Sequence, residues 1–151
     1  MMLPFQDKIA EVQISYSTKI AAKDRIQIKS STDTASQIRS FFPLIEYQEH
    51  FFIILLNRAN RILGYRLIST GGMAGTVVDV RLVFQVALLT HCSAIILVHN
   101  HPSGMLTPSA EDLTLTTKFI NAGKLLDIPV LDHLIMTKDS YYSFADEGMM
   151  H

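Results

Sequence analysis

Cysteine is nearly missing from this chain. The single Cys92 in 151 residues excludes an internal disulfide framework and any zinc site built from several thiolates, and it fits a reducing compartment. Its neighbours Ala94-Ile95-Ile96 predict a buried thiol. An excess of one charge is also missing: 13 Lys and Arg stand against 14 Asp and Glu, a net charge of -1. The basic surplus usual for a domain that binds nucleic acid through its own surface is therefore absent, and DNA contact has no support beyond a local patch. No apolar run is long. The longest, Phe51 to Leu56, falls far short of the ~20 residues that cross a bilayer, so no membrane partner is expected. The start, Met1-Met2-Leu3-Pro4-Phe5-Gln6-Asp7, lacks the basic region, apolar stretch and cleavage site of a secretory signal, which makes the cytoplasm the expected compartment.

What remains is an ordinary globular composition, with 48% hydrophobic and 18% charged residues, long enough to bury a core without staples. One domain over residues 1–151 is expected, its core about 9–146. Ile9 to Tyr16 alternates apolar and polar residues as a half-buried strand does, and Arg25 to Lys29 repeats the pattern, so both are expected near a sheet edge. Ser30-Ser31-Thr32-Asp33 can cap a helix that turns Ile38, Phe41 and Phe42 to the core and stops at Pro43. Phe51 to Leu56 reads as a strand buried on both faces, and Arg61 to Ile68 as its hairpin partner. Gly71-Gly72 breaks the chain. Asp79 caps a helix with Val83, Phe84, Ala87 and Leu88 on one face, and Ala94 to Val98 is a second buried strand leading into His99. Thr107, followed by Pro108, is the expected N-cap of a helix that buries Leu113, Phe119 and Ile120, with Gly123 near its end. Short strands at Pro129 to Leu131 and Leu134 to Met136 precede a polar tail. The fold class is α/β (α+β), a mixed sheet flanked by helices.

The chemistry lies in His99-Asn100-His101-Pro102-Ser103-Gly104-Met105-Leu106-Thr107-Pro108-Ser109-Ala110-Glu111-Asp112. In an extended chain residues i and i+2 face the same way, about 6.5 to 7 Å apart, so His99 and His101 can converge on one ion while Asn100 points away. The turn through Pro102, Ser103 and Gly104 folds the chain back and lets Asp112, at a helix start, supply a third ligand. Two neutral histidines and one carboxylate leave a position open for water, a catalytic rather than a structural zinc pattern. Zn2+ held in this way makes hydroxide available near pH ~7 and polarises a carbonyl, so hydrolysis follows. A general base is still required. Glu46 and Glu49 both precede the buried strand, and Glu49 is the closer. Ser109 can donate a hydrogen bond to the oxyanion of a tetrahedral intermediate.

Bland explanations stand beside these. A His-x-His pair in a loop usually binds nothing, Ser109-x-x-Asp112 also matches a capping box, although Pro108 favours Thr107 as the cap, and Glu111 is an ordinary first-turn acid. His133, beside Asp132, is either a hydrogen-bonded structural histidine, the favoured reading, or a group that orients a ligand. His50, His91 and His151 are expected at the surface.

Glu49, His99-x-His101, seven residues to Ser109 and two more to Asp112 reproduce the motif of the JAB1/MPN/Mov34 (JAMM) metalloenzymes. HNHPSG, TPSAED and IPVLDHLI, with GTVVDVR and FQVAL upstream, resemble the bacterial RadC-like JAB domain over nearly the whole chain. The resemblance implies a JAB/MPN fold akin to cytidine deaminases, zinc on His99, His101 and Asp112, and cleavage of peptide or isopeptide bonds in a protein or peptide substrate. The alternative is a non-catalytic zinc-containing interaction module, such as an accessory of DNA repair or recombination, the family's traditional association. Nucleobase deamination is disfavoured because its Cys-x-x-Cys ligand pair is absent. Two departures stand out: the chain is too short for the helix-hairpin-helix segment of longer RadC-like proteins, and it has Val80-Arg81-Leu82 where many have Pro-Arg-Glu.

Overall fold

Two clusters of apolar side chains on opposite faces of one sheet organise the molecule, whose computed structural model describes residues 9–71 and 77–151. The sheet has five strands in the order β2-β1-β3-β4-β5, with β1 His50–Leu56, β2 Ile62–Thr70, β3 Ala94–Asn100, β4 Val130–Met136 and β5 Tyr141–Ser143. Only β3 and β4 run parallel; the other neighbours are antiparallel. In β1 the side chains of Phe51, Ile53 and Leu55 join one cluster, and those of Phe52, Ile54 and Leu56 join the other. The continuous apolar run is thus a central strand covered on both faces. The helix α1 (Ser31–Ile38) closes one side through Ala35 and Ile38, while α2 (Val80–Leu89) and α3 (Ala110–Leu126) close the other through Val83, Phe84, Ala87 and Phe119. This is the mixed α/β sheet flanked by three helices that the patterning implies, consistent with a JAB/MPN fold.

Several expectations need correction. Ile9 to Tyr16 forms no strand: Ile9, Val12 and Ile14 are 70%, 85% and 72% exposed, and the Tyr16 hydroxyl donates to the Leu63 carbonyl. Alternation gains stability only from a ladder, and the second alternating stretch makes a single bridge, Gln27 to Arg61. After α1 the chain tightens into a 3-10 turn over Arg39–Phe41. Phe42 is consequently buried, whereas Phe41 is partly exposed and stacks on Tyr65 at 4.2 Å between ring centroids. Asp79 caps α2 as expected, but Leu88 is 53% exposed.

In α3 the buried positions are Thr116, Phe119 and Gly123; Leu113 and Ile120 lie at or nearer the surface. At its end the helix packs closely on the connection to β4: a Cβ at Gly123 would sit 2.4 Å from the Ile128 carbonyl oxygen. The two short strands after α3 are one strand, β4, with Asp132 and His133 buried in its middle. Asp132 is tolerated there because the Ser143 hydroxyl and the amides of His133 and Ala145 all donate to it. The polar tail adds β5. Gly72 of the Gly71-Gly72 break and the initial stretch Met1 to Asp7 lie outside the described residues. Cys92 is buried, as expected. Among the described residues no helix is long and apolar enough to cross a membrane.

Candidate metal centre

The β3 strand carries His99 to the carboxyl end of the sheet, on the face covered by α2 and α3 and stacked on Phe51 at 5.9 Å. Two residues further, the His101 amide donates to the Met136 carbonyl at 2.9 Å, which keeps the chain extended and the two imidazoles on one side. The return requires a left-handed residue, and Gly104 occupies it at φ 83°. The Gly104 amide donates to the His101 carbonyl at 3.0 Å. The chain then enters α3.

Its entry differs from the expected one. The N-cap is Ser109, two residues beyond Thr107, in a reciprocal capping box: the Asp112 amide donates to Ser109 Oγ at 3.0 Å, and the Ser109 amide donates to Asp112 Oδ2 at 2.8 Å. Two side chains that each satisfy an otherwise orphaned helix amide outweigh the preference of proline for the first helical position. The same box points the Asp112 carboxylate back at the histidines.

His99 Nε2 lies 3.0 Å from His101 Nε2 and 3.2 Å from Asp112 Oδ1, and His101 Nε2 lies 3.2 Å from Asp112 Oδ2. A tetrahedral ion with bonds of ~2.0 Å has ligand atoms about 3.3 Å apart. Two imidazole nitrogens and a carboxylate at this spacing fit a metal ion, and His99, His101 and Asp112 can hold one. His101 is oriented for this by its own Nδ1–H, which donates to the Met105 carbonyl at 2.8 Å and leaves Nε2 as the free nitrogen.

Glu49 comes to the same place from the start of the neighbouring strand, β1. Phe51 pairs with His99 across β1 and β3, so Glu49, two residues before Phe51, lies on the face of the imidazoles. Its backbone is pinned, because the Gly71 amide donates to the Glu49 carbonyl at 2.8 Å. Asn100 clamps the preceding turn: its Nδ2 donates to the carbonyls of Ile45 at 2.9 Å and Gln48 at 2.8 Å, and its Oδ1 accepts the His50 amide at 2.7 Å. Asn100 does point away from the ligands, and that is how it holds the segment that carries Glu49. Glu46 lies apart, 3.5 Å from Lys138 Nζ.

Electrostatics separate the carboxylates. Burial pushes the Glu49 carboxyl above its ordinary value, with His99 and His101 pulling it down and Asp112 pushing it up. Burial also works to raise Asp112, but the imidazoles of His101 and His99, each with Nε2 3.2 Å from a carboxylate oxygen, hold it well below the usual carboxylate range. His101 moves up although burial opposes it, because Asp112 and the Met105 carbonyl favour its protonated form.

His133 and Thr116 complete the surroundings. Both are buried, and His133 Nε2 lies 2.8 Å from His99 Nδ1 while its Nδ1 lies 2.6 Å from Thr116 Oγ1. His133 is therefore hydrogen-bonded in the core and also touches a candidate ligand, so both readings of it remain in play. Thr116 and Asn100 had escaped the motif. Their signals were a polar residue in a buried strand and a hydroxyl four residues after Asp112 on the same helix face. Glu111 is exposed, as expected of a first-turn acid, and so are His91 and His151. His50, expected at the surface, is buried, with Nδ1 3.1 Å from the Thr70 hydroxyl. Burial lowers its pKa.

The UPF0758 protein of Flavobacterium johnsoniae is 43% identical over 130 residues, 85% of this chain and 57% of the relative. That of Alkaliphilus metalliredigens is 38% identical over 143 residues, 94% of this chain and 61% of the relative. That of Geotalea uraniireducens is 48% identical over 103 residues, 68% of this chain and 45% of the relative. The chain thus spans about half to three fifths of the length of these relatives. Residues 28–149, a stretch that begins before α1 and takes in the whole sheet and all three metal-spaced donors, match the RadC-like JAB domain, and the chain belongs to that family.

Proposed function

We propose that this chain is a zinc-dependent hydrolase of peptide or isopeptide bonds, with His99, His101 and Asp112 holding the ion, Glu49 moving protons and Ser109 steadying the oxyanion. The observation that carries the reading is the spacing of the three donors, 3.0 and 3.2 Å, with a half-buried carboxyl beside them. When bound, zinc supplies a Lewis acid that acidifies water and polarises a carbonyl. Glu49 accepts a proton from the attacking water and returns it to the departing amine. A carboxyl raised by burial suits both halves of that exchange, since it is a better proton acceptor than a solvated one and can then act as an acid. The Ser109 hydroxyl accepts the Asp112 amide and keeps its own hydrogen for donation, so capping and oxyanion stabilisation are compatible. Loss of such a donor costs about 2.7 to 4 kcal/mol in the transition state. The substrate class is a protein or peptide, and the assigned compartment is the cytoplasm, where a lone buried thiol needs no disulfide partner.

The test is elemental analysis of wild type and His101→Ala purified without added metal, followed by cleavage assays on peptides and lysine-linked isopeptides. Near-stoichiometric zinc lost in His101→Ala, and cleavage abolished in Glu49→Gln with zinc retained, is the expected result. A wild type that takes up no zinc when it is offered would overturn the proposal.

A further inference from the structure

A chain of hydrogen bonds joins two of the candidate ligands through groups that no metal touches. It runs from His99 Nδ1 to His133 Nε2 at 2.8 Å, from His133 Nδ1 to Thr116 Oγ1 at 2.6 Å, and from Thr116 Oγ1 to the Asp112 carbonyl oxygen at 2.7 Å. Its direction follows from its last member. A carbonyl has no hydrogen, so the Thr116 hydroxyl must donate its single proton to Asp112. Thr116 Oγ1 then has only lone pairs for His133, so His133 Nδ1 must carry the hydrogen and donate. His133 is fully buried, with 0% of its surface exposed, and neither group its ring hydrogen-bonds, Thr116 Oγ1 or His99 Nδ1, is an anion that could balance a second ring proton, so the ring is neutral. A neutral imidazole has one N–H, so His133 Nε2 is an acceptor and His99 Nδ1 must be the donor.

From this we infer that Thr116 and His133 are positioning residues that fix His99 as the Nδ1–H tautomer, leaving the Nε2 lone pair aimed at His101 and Asp112 before any ion arrives. The opposite polarity would place a hydrogen on His99 Nε2, block its ligation and set Thr116 Oγ1 against the Asp112 carbonyl with no proton between them. The backbone of the third ligand therefore decides the tautomer of the first. His101 has its own, separate lock in the Met105 carbonyl, so the two imidazoles are prepared independently. Rigid packing supports the relay, with His133 stacked on Phe144 at 4.7 Å and edge-on to Phe51 at 5.8 Å. Groups of this kind behind a ligating histidine typically change metal affinity ten- to a hundredfold.

The inference rests on the metal-site reading for its purpose, while the tautomers themselves can be read without a metal. Long-range proton–nitrogen correlation spectra of the metal-free wild type are expected to show His99 and His133 both protonated on Nδ1. A His99 found protonated on Nε2 in the folded protein overturns the inference. Titration with zinc alone is the second arm. Thr116→Val, which keeps the shape and loses the hydroxyl, should weaken zinc ten- to a hundredfold and mix the His99 tautomers, with Thr116→Ser restoring both. Unchanged affinity and tautomers in Thr116→Val also overturn it. Should wild type show the expected tautomers yet bind no zinc, the relay stands and the hydrolase reading falls.

Discussion

Asn100 accepts the backbone amide of His50 through its side-chain oxygen at 2.7 Å, across 50 positions of sequence. The same side chain donates to two carbonyls of the turn before Glu49. Removing it leaves three backbone groups unpartnered in a buried place. Asn100→Ala is therefore expected to lose at least about 2 kcal/mol in urea unfolding, with faster hydrogen exchange at the His50 amide. Asn100→Asp should recover part of this, because it can still accept from His50. A fully stable alanine variant would show that the clamp is not energetically important.

At Gly123 two effects oppose each other. Alanine is the better helix former by about 1 kcal/mol, yet its Cβ would lie 2.4 Å from the Ile128 carbonyl oxygen, a backbone atom fixed by its place before β4. Overpacking costs about 1 to 3 kcal/mol. Sterics should win, so Gly123→Ala lowers the urea midpoint; a raised midpoint would mean that the loop after α3 yields.

Ser109 and Asp112 share a capping box but should separate on substitution. Ser109→Ala removes the acceptor for the Asp112 amide and is expected to cost about 0.5 to 2 kcal/mol while zinc still binds. Asp112→Asn keeps an oxygen for the Ser109 amide and should remain folded, but without its charge it should lose zinc. Thermal unfolding with and without zinc distinguishes them. At a free zinc concentration 100 times Kd, wild type should gain about 2.7 kcal/mol, and Asp112→Asn nothing.

The pH dependence follows from the same groups. In the metal-free protein His101 is raised above the ordinary imidazole value of 6.5, so its contribution is full below that value and fades as pH rises through its folded pKa. Asp112 is lowered, so its contribution is present above 3.8 and fades as pH falls towards its folded pKa. The pair therefore stabilises the metal-free protein most between these ordinary values. Zinc needs His101 unprotonated, so zinc-induced stabilisation should grow from about pH 5 to pH 8 with proton release. Calorimetry in buffers of different ionisation enthalpy measures the protons; a flat profile would count against His101 as a ligand.

Much of this molecule was legible in one dimension. The apolar runs Phe51 to Leu56 and Ala94 to Val98 identify central strands because only a sheet covered on both faces buries every residue of such a run. The spacing of His99, His101, Ser109 and Asp112 identifies the candidate centre because its parts lie on one strand end, one turn and one helix start. Tertiary structure decided the rest. The Ile9 to Tyr16 alternation found no ladder, while Asp132 and His133, polar enough to suggest a break, became the middle of β4 because buried partners satisfy them. Thr116 and Asn100 acquire their roles only when α3 and the turn before β1 close on the sheet. Local sequence sets which groups a short stretch can bring together. Whether a polar side chain is buried, and which way its hydrogen bonds run, depends on partners tens of residues away.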